Sequence, residues 1–311
     1  MEHRRIDITA FRHLYPFTSR TAKVNGRTMH YVDEGSGEPI LMVHGNPTWS
    51  FYFRKLIGGL SNDYRAIAPD HIGCGVSARP AASEYGFRLQ NRVDDLEALC
   101  SHLRLDRNLT LVLHDWGGAI GMALAIRHPE RIARLVLLNT AAFLKPANKP
   151  LPLALKLVRG LPFLATPAVL GLNLFARGAA CFASARGLRS DVRKGLLAPY
   201  NSWRNRLATL RFVQDIPLSP EDPSYALLEQ LDHGLRTFET KPVLICWGER
   251  DFVFDRDYLA EWRRRFPLAE VHRFPNAGHY VLEDVPDRIL KLLTAFLKRH
   301  PSRIENQRRL V

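Results

Sequence analysis

The chain has 311 residues, 46% hydrophobic and 10% aromatic. That is enough to bury the core of one large domain, or one domain with a sizeable insertion, and it excludes a disordered polymer. A formal charge of +13 raises nucleic acid, an anionic membrane or an acidic protein as partners, yet the basic residues concentrate only at Arg186–Arg211, Arg263–Arg265 and Lys298–Arg309, without any nucleic-acid-binding pattern.

In chain order, Thr21–Val24 and Thr28–Val32 read as two strands joined by an Asn25-Gly26 hairpin turn. Pro39–His44 is a continuous apolar run, the pattern of a buried strand, and leads into Gly45-Asn46-Pro47. A helix is expected over Trp49–Leu60, a strand over Tyr64–Asp70, and a helix over Leu89–Leu103, where Leu89, Val93, Leu96, Leu99 and Leu103 keep helical spacing. Leu111–Leu113 ends in His114-Asp115-Trp116-Gly117-Gly118 and then in the helical Ala119–Ala125, after which Arg131–Leu138 gives another strand. Strands alternating with helices imply a mostly parallel sheet with helices on both faces, an α/β fold.

From about Ala142 to Leu218 the alternation stops, and seven prolines (146, 150, 152, 162, 167, 199 and 217) punctuate short helix-like stretches. It resumes with Val243–Trp247 (strand), Arg256–Phe266 (helix), Glu270–Phe274 (strand) and Val285–Leu297 (helix). The expected organisation is an α/β core made of 1–142 and 219–311 with a helical cap, 143–218, inserted into it. Within the cap, Gly160–Ala176 carries no charge over 17 residues. Pro162, Pro167 and Asn173 argue against a membrane span, so an apolar cap lining, with peripheral contact to a membrane surface, is the expectation. Cys74, Cys100, Cys181 and Cys246 are far apart and form no CxxC pair, which argues against disulfides and zinc and for a cytoplasmic setting. Met1–Asp7 lacks the apolar stretch of a signal peptide.

The chemistry is read from strand ends. A strand turning sharply into a helix at a polar residue is a nucleophile elbow, and its tip is Asp115, where Ser is commoner. A carboxylate nucleophile attacks carbon and leaves an ester on the enzyme. Asp251 follows the strand Val243–Trp247, and His279 follows the last strand. The order nucleophile, acid, histidine is that of the α/β-hydrolase fold, with Asp251 orienting His279. Asn46 and Trp116 complete the constellation: their backbone N–H groups suit an oxyanion hole, and their side-chain N–H groups suit a departing anion, halide or carboxylate. Asn139 follows Leu135–Leu138, where some relatives carry the acid; an amide cannot serve that role. Glu249 and Arg250 read as structural.

The motifs HGNPTWS (44–50), HDWGG (114–118), WGERD (247–251) and NAGHY (276–280) resemble the haloalkane dehalogenase group of α/β-hydrolases, in the subgroup with an Asp-His-Asp triad and an Asn-Trp anion pair. The resemblance extends over nearly the whole chain. YPFTSR (15–20), PDHIGCGVS (69–77), LNTAAF (138–143), SWRNRLATLRFVQDIPL (202–218), ICWGERDFVFD (245–255) and AGHYVLED (277–284) are similar to the bacterial OleB-type β-lactone decarboxylases. That resemblance implies the last step of long-chain olefin biosynthesis: a cis-β-lactone with two alkyl chains loses carbon dioxide to give a cis-alkene. It implies Asp115 as nucleophile, His279 as base or acid, Asp251 as its partner, and Asn46 and Trp116 as holders of the developing carboxylate. No metal or other cofactor is expected. The family works in an assembly with the acyl-condensing and lactone-forming enzymes, and the positive charge with the basic C-terminal segment would serve docking to that assembly or to anionic lipid. Attack at the ring carbon and attack at the carbonyl both remain open. A haloalkane dehalogenase, with His279 activating water, is the alternative. An epoxide hydrolase would need cap tyrosines, and Tyr200 is the only one before residue 225. A non-catalytic lipid-binding or scaffold subunit would have no need of the triad.

Overall fold

Eight strands hydrogen-bond into one sheet in the order β1-β2-β4-β3-β5-β6-β7-β8. They are β1 (Arg20–Val24), β2 (Arg27–Glu34), β3 (Pro39–Val43), β4 (Arg65–Pro69), β5 (Leu109–Asp115), β6 (Ile132–Thr140), β7 (Val243–Gly248) and β8 (Glu270–Phe274). β1 and β2 run antiparallel to each other and β2 antiparallel to β4; every other pairing is parallel. The computed structural model describes residue 6 and residues 8–146 and 149–302. Most of Met1–Asp7 and of Lys298–Arg309 lies outside the described residues.

The central strands β3, β5 and β6 are buried at nearly every position because both faces are covered. Along β3 and β5, Leu41, Val43, Leu111 and Leu113 enter one core, with the helices α2 (Leu89–His102) and α3 (Gly117–Arg127). Ile40, Met42 and Val112 enter the other, with α1 (Arg54–Leu60) and the last helix of the chain. The two-residue period of a strand sends neighbours to opposite faces, and each buried aliphatic side chain contributes roughly 1.5–3 kcal/mol. Asn25 and Gly26 both have positive φ, 46° and 78°, as a two-residue hairpin turn needs.

Between β6 and β7 come α4 (Leu153–Gly160), α5 (Pro162–Thr166), a π-helical turn over Pro167–Gly171, α6 (Leu174–Phe182), α7 (Ser190–Leu197), α8 (Leu207–Gln214) and α9 (Tyr225–Gly234), with no strand among the described residues. α9 packs against α3. The charge-free stretch is therefore broken as its prolines and Asn173 (φ 55°) dictate. Among the described residues no single helix is long and apolar enough to cross a membrane; α4 and the α5 segment, bent by 104°, reach that length and composition only together. After β7 come α10 (Arg256–Arg265), α11 (Val281–Asp284) and α12 (Pro286–Arg299).

Two expected helices differ from those observed. Trp49–Leu60 begins as a 3₁₀ turn over Ser50–Phe53 before α1, and Trp49 itself is extended (φ −155°). The Ser50 N–H donates to the buried Asp70 carboxylate at 2.8 Å, which bends the aromatic run into the core before a regular helix begins. The closing helix starts at Pro286, after a separate short α11, because a proline suits a first helical turn and not an interior.

Candidate active site

Asp115 is the last residue of β5, and α3 begins two residues later. Its φ of 53° is a conformation that side chains other than glycine seldom adopt, so the turn holds the carboxyl proud of the strand end. Two glycines permit the crowding around it. A Cβ on Gly117 would lie 1.9 Å from the Val43 carbonyl oxygen, and one on Gly45 would lie 1.9 Å from Asp115 Oδ1. Thr140 Oγ1 donates to the Asp115 carbonyl, tying the elbow to β6.

The Asn46 backbone N–H, from the loop after β3, donates to Asp115 Oδ1 at 2.6 Å. Burial raises the Asp115 pKa above the ordinary carboxylate value; the His279 charge and the backbone N–H groups of Asn46 and Trp116 oppose it without cancelling it. Of the N–H pair expected to form an oxyanion hole, that of Asn46 is thus directed at the nucleophile's own Oδ1.

His279 closes the constellation. Its Nδ1 lies 2.8 Å from Asp251 Oδ2 and its Nε2 lies 3.6 Å from Asp115 Oδ2. Burial lowers the histidine pKa, but the charge and hydrogen bond of Asp251, with Asp115, outweigh it and leave the value raised. Asp251 Oδ1 accepts the N–H groups of Val253 (2.7 Å) and Phe254 (3.1 Å), so both carboxylate oxygens are engaged. The structure therefore brings Asp115, Asp251, His279 and Asn46 together, with Trp116 beside them, all lining or bordering one site.

Asn139 does more than fail to be an acid. Its Nδ2 donates to Asp251 Oδ2 at 2.9 Å and to the Gly248 carbonyl at 3.0 Å, while its Oδ1 accepts the Gly248 N–H at 2.8 Å. The side chain thus positions the acid from the end of β6. Asn46 also differs from the simple expectation: its Nδ2 donates to the Thr209 carbonyl in α8 at 3.0 Å. An amide nitrogen carries two protons, so this anchor leaves one N–H for a ligand. Tyr200 is buried and donates to the Thr48 carbonyl at 3.2 Å, outside the cavity lining, so it does not serve as a cap donor. Glu249 pairs with Arg273, and Arg250 with Asn276, in structural roles.

Residue-type reasoning missed a supporting set of buried groups. His114 Nε2 donates to the His279 carbonyl at 2.9 Å, fixing the histidine loop to β5. His44 Nδ1 donates to the Gly45 carbonyl at 2.7 Å and its Nε2 accepts the His71 N–H at 3.0 Å; burial drives its pKa down to about 4, so the ring stays neutral. Asp284 accepts from Ser184, Ala185 and Arg186, in the bend between α6 and α7, and from the Gly278 N–H, at 2.7–3.0 Å. It fastens that segment to the histidine loop. The only sequence signal was the placement of these residues inside the quoted motifs.

Above Asp115 lies a cavity of about 540 Å³. Asn46, Asp115, Trp116 and His279 form its floor, and Leu155, Val158, Val169, Phe175 and Ile216 are among the apolar walls supplied between β6 and β7. Trp116 is half-buried, its indole 5.5 Å from the Phe212 ring. A reactive carboxylate at the bottom of an almost wholly apolar chamber suits an uncharged, alkyl-rich electrophile.

Residues 38–286 match the model of the α/β-hydrolase fold family. A cis-3-alkyl-4-alkyloxetan-2-one decarboxylase of Shewanella oneidensis is 50% identical over 285 residues, covering 91% of this chain and 89% of the relative. One of the same name from Xanthomonas campestris pv. campestris is 44% identical over 299 residues, covering 92% and 98%. The chain belongs to this decarboxylase family of α/β-hydrolases. The crystal structure of the haloalkane dehalogenase DatA from Agrobacterium tumefaciens C58 superposes with a TM-score of 0.82 at 27% identity, covering 91% of this chain and 97% of that one. The oxetanone decarboxylases are nearer in sequence than that dehalogenase, although the scaffold is shared.

Proposed function

We propose that the chain converts a cis-3,4-dialkyl β-lactone into a cis-alkene and carbon dioxide by attack of Asp115 on the ring carbon bearing oxygen. The carrying observation is that Asp115 Oδ1 occupies the backbone N–H site, which leaves Oδ2 facing His279 and the cavity. Attack at the lactone carbonyl would create an oxyanion on the substrate, and the Asn46 N–H that would help hold it is already engaged. Attack at the ring carbon needs no such hole. Oδ2 bonds to that carbon, its bond to the ring oxygen breaks, and the released carboxylate meets the Asn46 amide and the Trp116 indole.

In the second step the bond between carbon and that carboxylate breaks. Its electron pair forms the double bond and expels Asp115 as a carboxylate, so neither water nor a proton is consumed. Displacement inverts the ring carbon, and antiperiplanar loss from the inverted ester restores the cis relationship. The same two backbone N–H groups stabilise Asp115 as it departs. The upward shift of the His279 pKa by Asp251 and Asp115 also fits, because an imidazolium balances the carboxylates of the site.

The test is mass spectrometry of products from a synthetic cis-β-lactone. Wild type is expected to give cis-alkene without incorporation of solvent ¹⁸O into Asp115, and Asp115→Asn to give none. Alkene formation by Asp115→Asn at the wild-type rate, or a β-hydroxy acid as the main product, overturns the reading.

A further inference from the structure

The chain exposes large apolar side chains unevenly. Phe163 is 88% exposed, Phe182 75%, Leu153 70% and Leu172 64%, and all four lie between residues 153 and 182. Their elements adjoin: α4 packs on α5, α5 continues into the π-helical turn, and that turn packs on α6. Soluble chains seldom leave so many neighbouring large apolar side chains bare unless the patch meets a partner.

The charges carried by this stretch of the chain itself are all positive, although Lys149 and Arg159 pair with Asp255 and Asp222. No Asp or Glu occurs from Arg131 to Ser190, while nine Lys and Arg residues do. Lys156 on α4, Arg177 on α6 and Arg186 after it are exposed. The patch is also continuous with the cavity, because Leu157, Leu174 and Phe182 are exposed and line it at once. An apolar surface rimmed by cations at the mouth of an apolar chamber has the chemistry of an interfacial lipid contact, not of a protein interface with paired charges. The 104° bend between α4 and the α5 segment lets both lie flat on a surface where a straight helix would insert.

We propose that the face formed by α4, α5, the π-helical turn and α6 docks onto anionic phospholipid bilayers, with the cavity mouth opening toward the acyl region. The indole of Trp203, 53% exposed and within reach of Gly171 on the π-helical turn, sits at the patch as an interfacial anchor. Such docking lets a water-insoluble substrate enter, and product leave, without crossing water. That last consequence rests on the lactone reading; the docking itself does not.

The test is co-sedimentation of the full chain with vesicles, read without turnover, so that loss of the decarboxylase reading would leave it intact. Vesicles of phosphatidylcholine with phosphatidylglycerol are expected to carry the protein down, and pure phosphatidylcholine to do so at least about tenfold less well. F163D/L172D, at two positions outside the cavity lining, is expected to cut binding about tenfold or more while keeping the wild-type thermal midpoint. Three results overturn the proposal: no sedimentation with anionic vesicles, equal binding by the double variant, or a double variant that loses self-association in size-exclusion chromatography while still binding vesicles normally.

Discussion

At Asp115, burial and charge pull in opposite directions, and the balance sets a pH dependence. Its raised pKa means the nucleophile is ionised only above the ordinary carboxylate range, so activity falls as pH drops through that raised value. Asp251 and Asp115 raise the His279 pKa above the ordinary imidazole value, so the stabilising imidazolium is lost as pH rises through that raised value. A bell-shaped kcat profile is expected, with the acid limb from Asp115 and the alkaline limb from His279. Asp251→Asn removes the charge that raises His279, so the alkaline limb should move to lower pH as kcat falls by about 10²–10⁴; rates over a pH series check it. Asn139→Ala leaves Asp251 Oδ2 and Gly248 each short of a partner. It should cost about 1–3 kcal/mol in urea unfolding and lower kcat more than it changes KM. Asp115, His279 and Asp251 were legible in the sequence because each follows a strand in an order that few folds require. Asn139 was legible only as an unsuitable acid. Its hydrogen bonds join positions 109 and 112 residues away, which no local pattern encodes.

The strands were readable as elements because a sheet buried on both faces writes itself as apolar runs, as in Pro39–Val43 and Leu111–Leu113. Helices closed by backbone irregularity were less so. The 3₁₀ turn before α1 begins where the Ser50 N–H meets the Asp70 carboxylate, and α12 begins at Pro286. Asp284 shows how an element-level joint escapes sequence reading: it lies in the short α11, yet four donors from two separate segments converge on it. Asp284→Ala leaves these groups without their acceptor, three of them backbone N–H groups. Its expected cost is about 3 kcal/mol or more in urea unfolding. Asp284→Asn, which keeps some acceptor capacity, should cost less. A loss within about 0.5 kcal/mol for the alanine variant would show that water replaces the carboxylate without penalty.

At the scale of the molecule, the two parts of the chain divide the work between chemistry and selection. The sheet supplies the reactive groups from the ends of β3, β5, β6 and β7 and from the loop after β8, while the helices between β6 and β7 supply most of the apolar wall. This separation explains why the segment 143–218 was the least legible part. It lacks a sheet register to enforce periodicity, and its short helices are delimited by prolines and by contacts with one another. It also lets the wall be altered without touching the reacting atoms. Gly178 in α6 lines the cavity, and a Cβ there meets nothing within 4 Å. Gly178→Leu should therefore fold normally, gain helix propensity of up to about 1 kcal/mol, and place its side chain in the space of an alkyl tail. Lactones with long tails should lose about tenfold or more in kcat/KM, through KM, while short-tailed lactones keep the wild-type value. Competition between a long- and a short-tailed cis-lactone, read as the alkene ratio, measures this directly. An unchanged ratio would mean that the tails leave the cavity by another side than α6.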